Sequence, residues 1–179
     1  MNDMIKILKA TPLDINEIGI MFDDICDYLS SNNNYPKWQK GVYPTIEDAR
    51  VGISENALYV AKLDDRIVGT MILRHKPEEG YNQAKWPTKS NYERIYVIYT
   101  LAVHQDYWGQ EIGETLLKYA IHLAKEDGCI AVRLDVVKGN YPAINLYKKC
   151  GFKYIDTVSL GYEKYGIPWY ELYEITLIH

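Results

Sequence analysis

The sequence predicts a mixed α/β fold, with about seven strands in a mostly antiparallel central sheet and about four helices. Three observations carry that expectation. Some short stretches alternate apolar and polar residues or are rich in β-branched and aromatic ones, as strands do. Others repeat apolar residues at intervals of three and four, as helices do. The two patterns interleave as β-α-α-β-β-β-α-β-α-β-β, with strand following strand in the first half, so that half is antiparallel. The 179 residues, 47% of them apolar, suffice for a core without disulfide or metal staples. One domain over residues 1–179 is expected, since no repeat, low-complexity tract or linker interrupts the chain.

Residues 4–8 form the first strand candidate. Thr11-Pro12-Leu13-Asp14 then reads as a helix start, with a hydroxyl to cap, a proline for the first turn and an acid at the positive helix end. Ile15, Ile18, Phe22, Ile25 and Leu29 make one apolar stripe on that helix, and residues 30–34 end it with turn formers. Thr45 and Asp48 open a short second helix to about residue 54. Residues 58–63 and 66–73 read as a hairpin across Asp64-Asp65, a turn without the usual glycine. Residues 75–93 are polar and rich in breakers, a long loop of the kind that carries function. A strand over 95–103 precedes a helix over 109–127, whose core face is Ile112, Leu116, Ala120, Leu123 and Ala124 and whose stop is Gly128. Residues 130–136 form a further strand and 141–150 a short helix stopped by Gly151. Two strands, 152–159 and 170–178, end the sequence.

The formal charge is −4 with acids and bases mixed, which argues against nucleic acid as partner, because phosphate neutralisation needs clustered cations. No apolar run approaches the ~18 residues of a membrane span, and residues 1–10 lack the apolar core of a secretion signal, so a cytoplasmic protein without membrane contact is expected. Cys26, Cys129 and Cys150 are odd in number and fit no zinc spacing; they read as buried thiols of a reducing compartment, and no metal is expected.

Chemistry concentrates at the junction of the strand over 95–103 with the helix that follows. Unpaired N–H groups and the helix dipole make such a junction attractive to phosphate. Gly109 and Gly113 remove side chains where a pyrophosphate would approach. Taken alone, these glycines fit an ordinary helix start equally well.

The second half of the chain adds a resemblance. Leu101-Ala102-Val103, then Tyr107-Trp108-Gly109-Gln110-Glu111-Ile112-Gly113, resembles the strand and pyrophosphate loop of the GNAT acyltransferase superfamily. Asn140-Tyr141-Pro142-Ala143-Ile144-Asn145-Leu146-Tyr147, then Cys150-Gly151-Phe152, resembles that superfamily's next motif and is the more specific of the two. The order of elements agrees over nearly the whole chain and implies a GNAT-like sheet. The loop departs from the family pattern of Gln or Arg, two residues, Gly, one residue, Gly or Ala. Trp108 stands where Gln or Arg is expected and Glu111 where the first defining glycine is expected. A carboxylate at ~5 Å from a pyrophosphate charge costs roughly 0.8 kcal/mol in water. An outward-pointing Glu111 would leave the cradle intact, and coenzyme binding is expected to be weakened rather than lost. Trp108 would pack on the helix start or cover the cofactor.

The resemblance implies acetyl-CoA, or another short acyl-CoA, as cofactor. It is held by Leu101, Ala102, Val103, Trp108, Gly109, Gln110, Glu111, Ile112, Gly113, Asn140 and Ala143. An amine would attack the thioester directly, with backbone N–H groups near 101–103 stabilising the oxyanion. Tyr147 matches the tyrosine that protonates the leaving thiolate. A helix tyrosine packed in the core is the plainer reading of that residue, and capping alone accounts for Asn140. No general base is visible: the strand over 95–103 holds no Asp, Glu or His, and Glu93, Tyr96 and Tyr99 are the nearest candidates. An aromatic acceptor pocket is expected from Tyr35, Trp38, Tyr43, Trp86 and Tyr99, with Tyr81 and Trp169 beside them, taking a small-molecule or peptide amine. Structural anchoring explains these rings about as well. Dimers are common among proteins of this resemblance. A CoA-binding regulatory module without catalysis, or a phosphate-ester binder, are the rival functions.

Overall fold

The computed structural model describes residues 4–177. The strands are β1 (Lys6–Lys9), β2 (Leu58–Leu63), β3 (Arg66–Arg74), β4 (Ile95–Val103), β5 (Ala131–Val137), β6 (Lys153–Val158) and β7 (Tyr170–Thr176). The helices are α1 (Ile15–Ser30), α2 (Ile46–Ser54), α3 (Ile112–Glu126) and α4 (Tyr141–Lys149). The strands form one sheet in the order β1-β2-β3-β4-β5-β7-β6. β1 with β2, β2 with β3, β5 with β7 and β6 with β7 pair antiparallel, and β4 with β5 pairs parallel. The order of elements is the one the sequence patterns predict, and residue 178 of the last expected strand lies outside the described residues.

The chain divides into two compact units. The first comprises the residues up to Asn34, Trp38–Leu73 and Tyr99–Tyr119; the second comprises Tyr35–Lys37, Arg74–Ile98 and the residues from Ala120 on. In the first unit, α1 buries Ile18, Met21, Phe22, Ile25 and Leu29 against Leu58, Val60, Ile67, Ile72 and Ala102. Local capping sets both helix starts. The Asp14 carboxylate accepts from the Thr11 N–H at 2.8 Å in a 3-10 turn that leads into α1, and Asp48 accepts from the Thr45 N–H at 2.7 Å ahead of α2. The hairpin turn closes without glycine because Asp64 (φ 50°) and Asp65 (φ 60°) both take the left-handed conformation, which a short polar side chain tolerates best.

Gly69 of β3 positions the start of α3. A Cβ there would lie 3.0 Å from the Ala102 carbonyl and 3.2 Å from both Ile112 and Leu116, so the bare glycine lets the first turn of α3 settle on the strands. That turn begins at Ile112 rather than at 109. Gly109 (φ 82°) and Glu111 (φ 64°) are left-handed, and neither conformation continues a right-handed helix.

In the second unit, β5 is buried on both faces. It pairs with β4 only over Ile95–Ile98 but with β7 along its whole length, Ala131 to Val137. Gly128 (φ 76°) and Gly151 (φ 98°) follow α3 and α4 as left-handed stops.

Candidate active site

The first unit carries the junction of β4 with α3. After β4, His104 accepts from the Asp106 N–H at 3.2 Å and caps a single 3-10 turn, Gln105–Tyr107. The left-handed residues at 109 and 111 then turn the chain into α3. Thr115 is the first residue of α3 whose N–H reaches back one turn, to the Glu111 carbonyl at 3.0 Å. The amides of Ile112 and Gly113 ahead of it have no partner within the helix, at its positive end. No described atom lies within 4 Å of where a Cβ on Gly109 would stand, so the approach is open. Glu111 is exposed, and its backbone amide remains part of the turn. It occupies a left-handed position where glycine carries no steric cost, which is the physical reason a glycine belongs there. These backbone features fit a pyrophosphate.

Trp108 packs on α1. Its ring meets Tyr28 edge-on at 5.3 Å, and its Nε1 donates to the Val103 carbonyl at 2.8 Å. Leu101 and Val103 are half-buried, while Ala102 is part of the core.

One residue before Leu101, β4 is distorted. Thr100 has φ 49°, a β-branched residue in the left-handed region, at a cost of about 1–3 kcal/mol. Two side chains hold it there. The hydroxyls of Tyr43 and Thr100 are 2.6 Å apart, and the Thr70 hydroxyl donates to the Thr100 carbonyl at 3.1 Å. Trp38 meets Tyr43 edge-on at 6.2 Å, and Trp38 and Tyr99 pack on the core of this unit. Three of the expected acceptor-pocket rings therefore belong to the first unit, and Tyr35 to the second.

The second unit carries the titratable groups. Asp135 of β5 accepts a 2.6 Å hydrogen bond on Oδ2 from the Tyr81 hydroxyl. Among the described residues Oδ1 has no partner. Burial pushes this carboxyl up to about 6 from its ordinary 3.8; the Tyr81 hydrogen bond opposes the rise and the charge of Glu78 adds to it. Tyr147 is 7% exposed, and its ring meets Phe152 and Tyr173 at 6.2 and 6.4 Å. Burial first, and then the charge of Asp135, raise its phenol well above the ordinary value, so the hydroxyl stays protonated. Tyr162 donates to Glu78 Oε1 at 3.3 Å and is pushed up to about 12 by burial and by Glu78 and Asp135. Asn140 caps α4, its side-chain oxygen accepting from the Ala143 N–H at 3.4 Å.

The expected pocket rings of the long loop are anchored. Tyr81 is fully buried, and Trp86 Nε1 donates to the Tyr81 carbonyl at 2.8 Å. The Arg133 guanidinium lies 4.1 Å above the Trp86 ring and bonds Glu174 Oε2 at 2.8 Å. A cleft of about 760 Å³ beside this loop is lined in part by Glu78, Tyr81, Trp86, Tyr92 and Arg133. Of the other base candidates, Glu93 is exposed and Tyr96 donates to Asp127 at 2.5 Å. The pattern over residues 130–136 gave no role to Asp135. Its signal was present, because an aspartate is unusual inside a β-branched strand.

The sequence profile of the acetyltransferase (GNAT) family matches residues 22–152. The chain belongs to the GNAT acetyltransferase family. It is similar to the N-alpha-acetyltransferase of Sulfurisphaera tokodaii, with 37% identity over 110 residues, 60% of this chain and 63% of that protein. It spans 37% to 63% of the lengths of the first two curated relatives it matches. In fold it resembles a GNAT-family acetyltransferase from Streptococcus agalactiae, at a TM-score of 0.82 and 18% identity over 98% of this chain and 96% of the other. It also resembles the ribosomal-protein-S18-alanine N-acetyltransferase from Escherichia coli, at a TM-score of 0.71 and 15% identity over 98% and 96%.

Proposed function

We propose that the chain is an acetyl-CoA-dependent N-acetyltransferase whose acceptor is the amine of a small molecule or a peptide. The observation that carries this reading is Asp135, whose Oδ2 accepts from the Tyr81 hydroxyl while Oδ1 has no partner among the described residues, in surroundings that push the carboxyl up to about 6. An alkyl ammonium with a pKa near 10.4 is neutral in only about one molecule in 10³ at neutral pH, so direct attack needs a group to take its proton. Asp135 takes that proton on Oδ1. When bound, the cofactor supplies an activated acetyl carbonyl. Attack of the amine nitrogen on the carbonyl carbon would expel the coenzyme's sulfur as a thiolate, which would need a proton. Tyr147, whose phenol stays protonated, would hydrogen-bond that departing sulfur and stabilise its charge. The amides at the start of α3 receive the pyrophosphate, and the backbone of Leu101 to Val103 pairs with the pantetheine arm as an added strand.

The rival reading, a coenzyme-binding module without catalysis, is motivated by Glu111, Trp108 and a missing base on the strand over 95–103. Asp135, a carboxyl held by the Tyr81 hydroxyl, favours catalysis instead. The similarity to an N-alpha-acetyltransferase puts peptide α-amines first among acceptors. The test is thiol release from acetyl-CoA over a panel of peptides with free N-termini and of small amines, with Asp135→Asn and Tyr147→Phe beside the wild type. Turnover that both variants lower by about 10²-fold or more supports the assignment. Tight acetyl-CoA binding with no release across the panel would instead establish the non-catalytic module.

A further inference from the structure

Asp135 is held by a residue from a distant part of the chain, on a segment built to stay in place. The long loop between β3 and β4 contains two 3-10 turns, Glu79–Gln83 and Tyr92–Arg94. It reaches β5 at two positions two residues apart, Arg133 and Asp135, which share one face of the strand. At Arg133 the attachment is dense. Nη1 donates to the Tyr92 hydroxyl at 2.7 Å, Nη2 to the Thr88 carbonyl at 2.6 Å, and Nε to Glu174 at 2.8 Å, with the Trp86 ring stacked on the guanidinium. Trp86 in turn bonds the Tyr81 carbonyl and packs against the Tyr81 ring at 5.4 Å. On the other side, a Cβ on Gly80 would lie 2.7 Å from the Ser159 carbonyl, so Gly80 lets the loop press against residues 159–160. Tyr81 has no room to swing away.

We propose that this loop is a strap that positions the catalytic carboxylate: the Tyr81 hydroxyl fixes Oδ2 of Asp135, leaving Oδ1 as the atom that takes the acceptor's proton. The inference rests on the reading of Asp135 as the base. Tyr81 is a positioning residue, acting through Asp135. A fold that needed only to pin the loop already has Arg133, Trp86 and Glu174 to do so. The Tyr81 bond adds a donor to the one carboxyl that also senses Tyr147. The groups that bear on Asp135 are Glu78 and Tyr81 from the loop, Tyr147 from α4 and Tyr162 ahead of the turn Glu163–Tyr165. Its cross-strand partner on β7, Leu172, is apolar. Among the groups that shift this carboxyl, Tyr81 alone stabilises the ionised form by a hydrogen bond, so losing it moves the titration upward.

The experiment uses the full chain as wild type, Tyr81→Phe, Trp86→Leu and Asp135→Asn. The Asp135 titration is followed by carbon NMR of labelled aspartate, and kcat and KM are measured against pH with the best amine of the panel. Tyr81→Phe should raise the Asp135 midpoint, carry the acidic limb of the rate profile up with it and lower kcat about tenfold, with KM for acetyl-CoA unchanged. Trp86→Leu should act in the same direction and less. An unchanged midpoint and rate profile in Tyr81→Phe would overturn the strap. Should Tyr81→Phe fail to fold, an unchanged midpoint in Trp86→Leu would overturn it instead. Full turnover and an intact acidic limb in Asp135→Asn would overturn the base reading separately, while the NMR midpoint still reports on the strap.

Discussion

Replacing Asp135 by asparagine should make the fold more stable at neutral pH than at acid pH, relative to the wild type. In the folded chain this carboxyl keeps its proton up to about pH 6, against an ordinary value of 3.8. The folded state therefore binds the proton more tightly than the unfolded chain does. The stability this confers is fully present below the unfolded value and is lost as pH rises through the folded one. At about 1.4 kcal/mol per pH unit of difference the whole effect is about 3 kcal/mol, of which about 2.4 kcal/mol is lost between pH 4 and pH 7, because the unfolded carboxyl is already mostly ionised at pH 4. Asparagine has no proton to lose. The stability of Asp135→Asn minus that of the wild type should thus climb by about 2.4 kcal/mol over that range, whatever constant offset the substitution adds. Every other titrating group is common to both chains and cancels to first order. Urea unfolding at a series of pH values measures it. A difference that stays flat from pH 4 to pH 7 would refute the claim that burial holds this carboxyl in its protonated form.

Glu111→Gly should relieve a left-handed residue, raising stability by about 0.5–1 kcal/mol after the extra chain entropy of glycine is counted. It should also tighten acetyl-CoA binding up to about fourfold; equal or weaker affinity by calorimetry would show that Glu111 costs the cradle nothing. Tyr43→Phe removes one of the two bonds that hold Thr100 in its left-handed conformation. It should cost about 1 kcal/mol, seen as a melting point lower by about 2–4 °C, and should lower kcat more than it changes KM for the cofactor. Glu174→Gln leaves the buried Arg133 guanidinium without a counter-charge and should destabilise the chain by about 3–5 kcal/mol in denaturant unfolding.

The sequence made the elements legible because their signals are local. The apolar stripe of α1, the capping pairs Thr11–Asp14 and Thr45–Asp48, and the stop at Gly128 each act within a turn or two. The family motif from Asn140 to Phe152 was legible for the same reason. What escaped depends on residues far apart in the chain or on backbone conformation. The helix start moved from 109 to 112 because Gly109 and Glu111 are left-handed, and nothing marks a glutamate for that conformation in advance. The distortion at Thr100 is held by Tyr43 and Thr70, 57 and 30 residues away. Asp135 reads as one member of an alternating strand until Tyr81, 54 residues earlier, is found bonded to it. A carboxyl becomes a base through burial and neighbours, and neither is written in local spacing.

Carbon NMR titration of Asp135 in the free wild-type protein tests the central claim without knowledge of the acceptor. The expected midpoint lies near 6. A midpoint near the ordinary carboxylate value of 3.8 would contradict it.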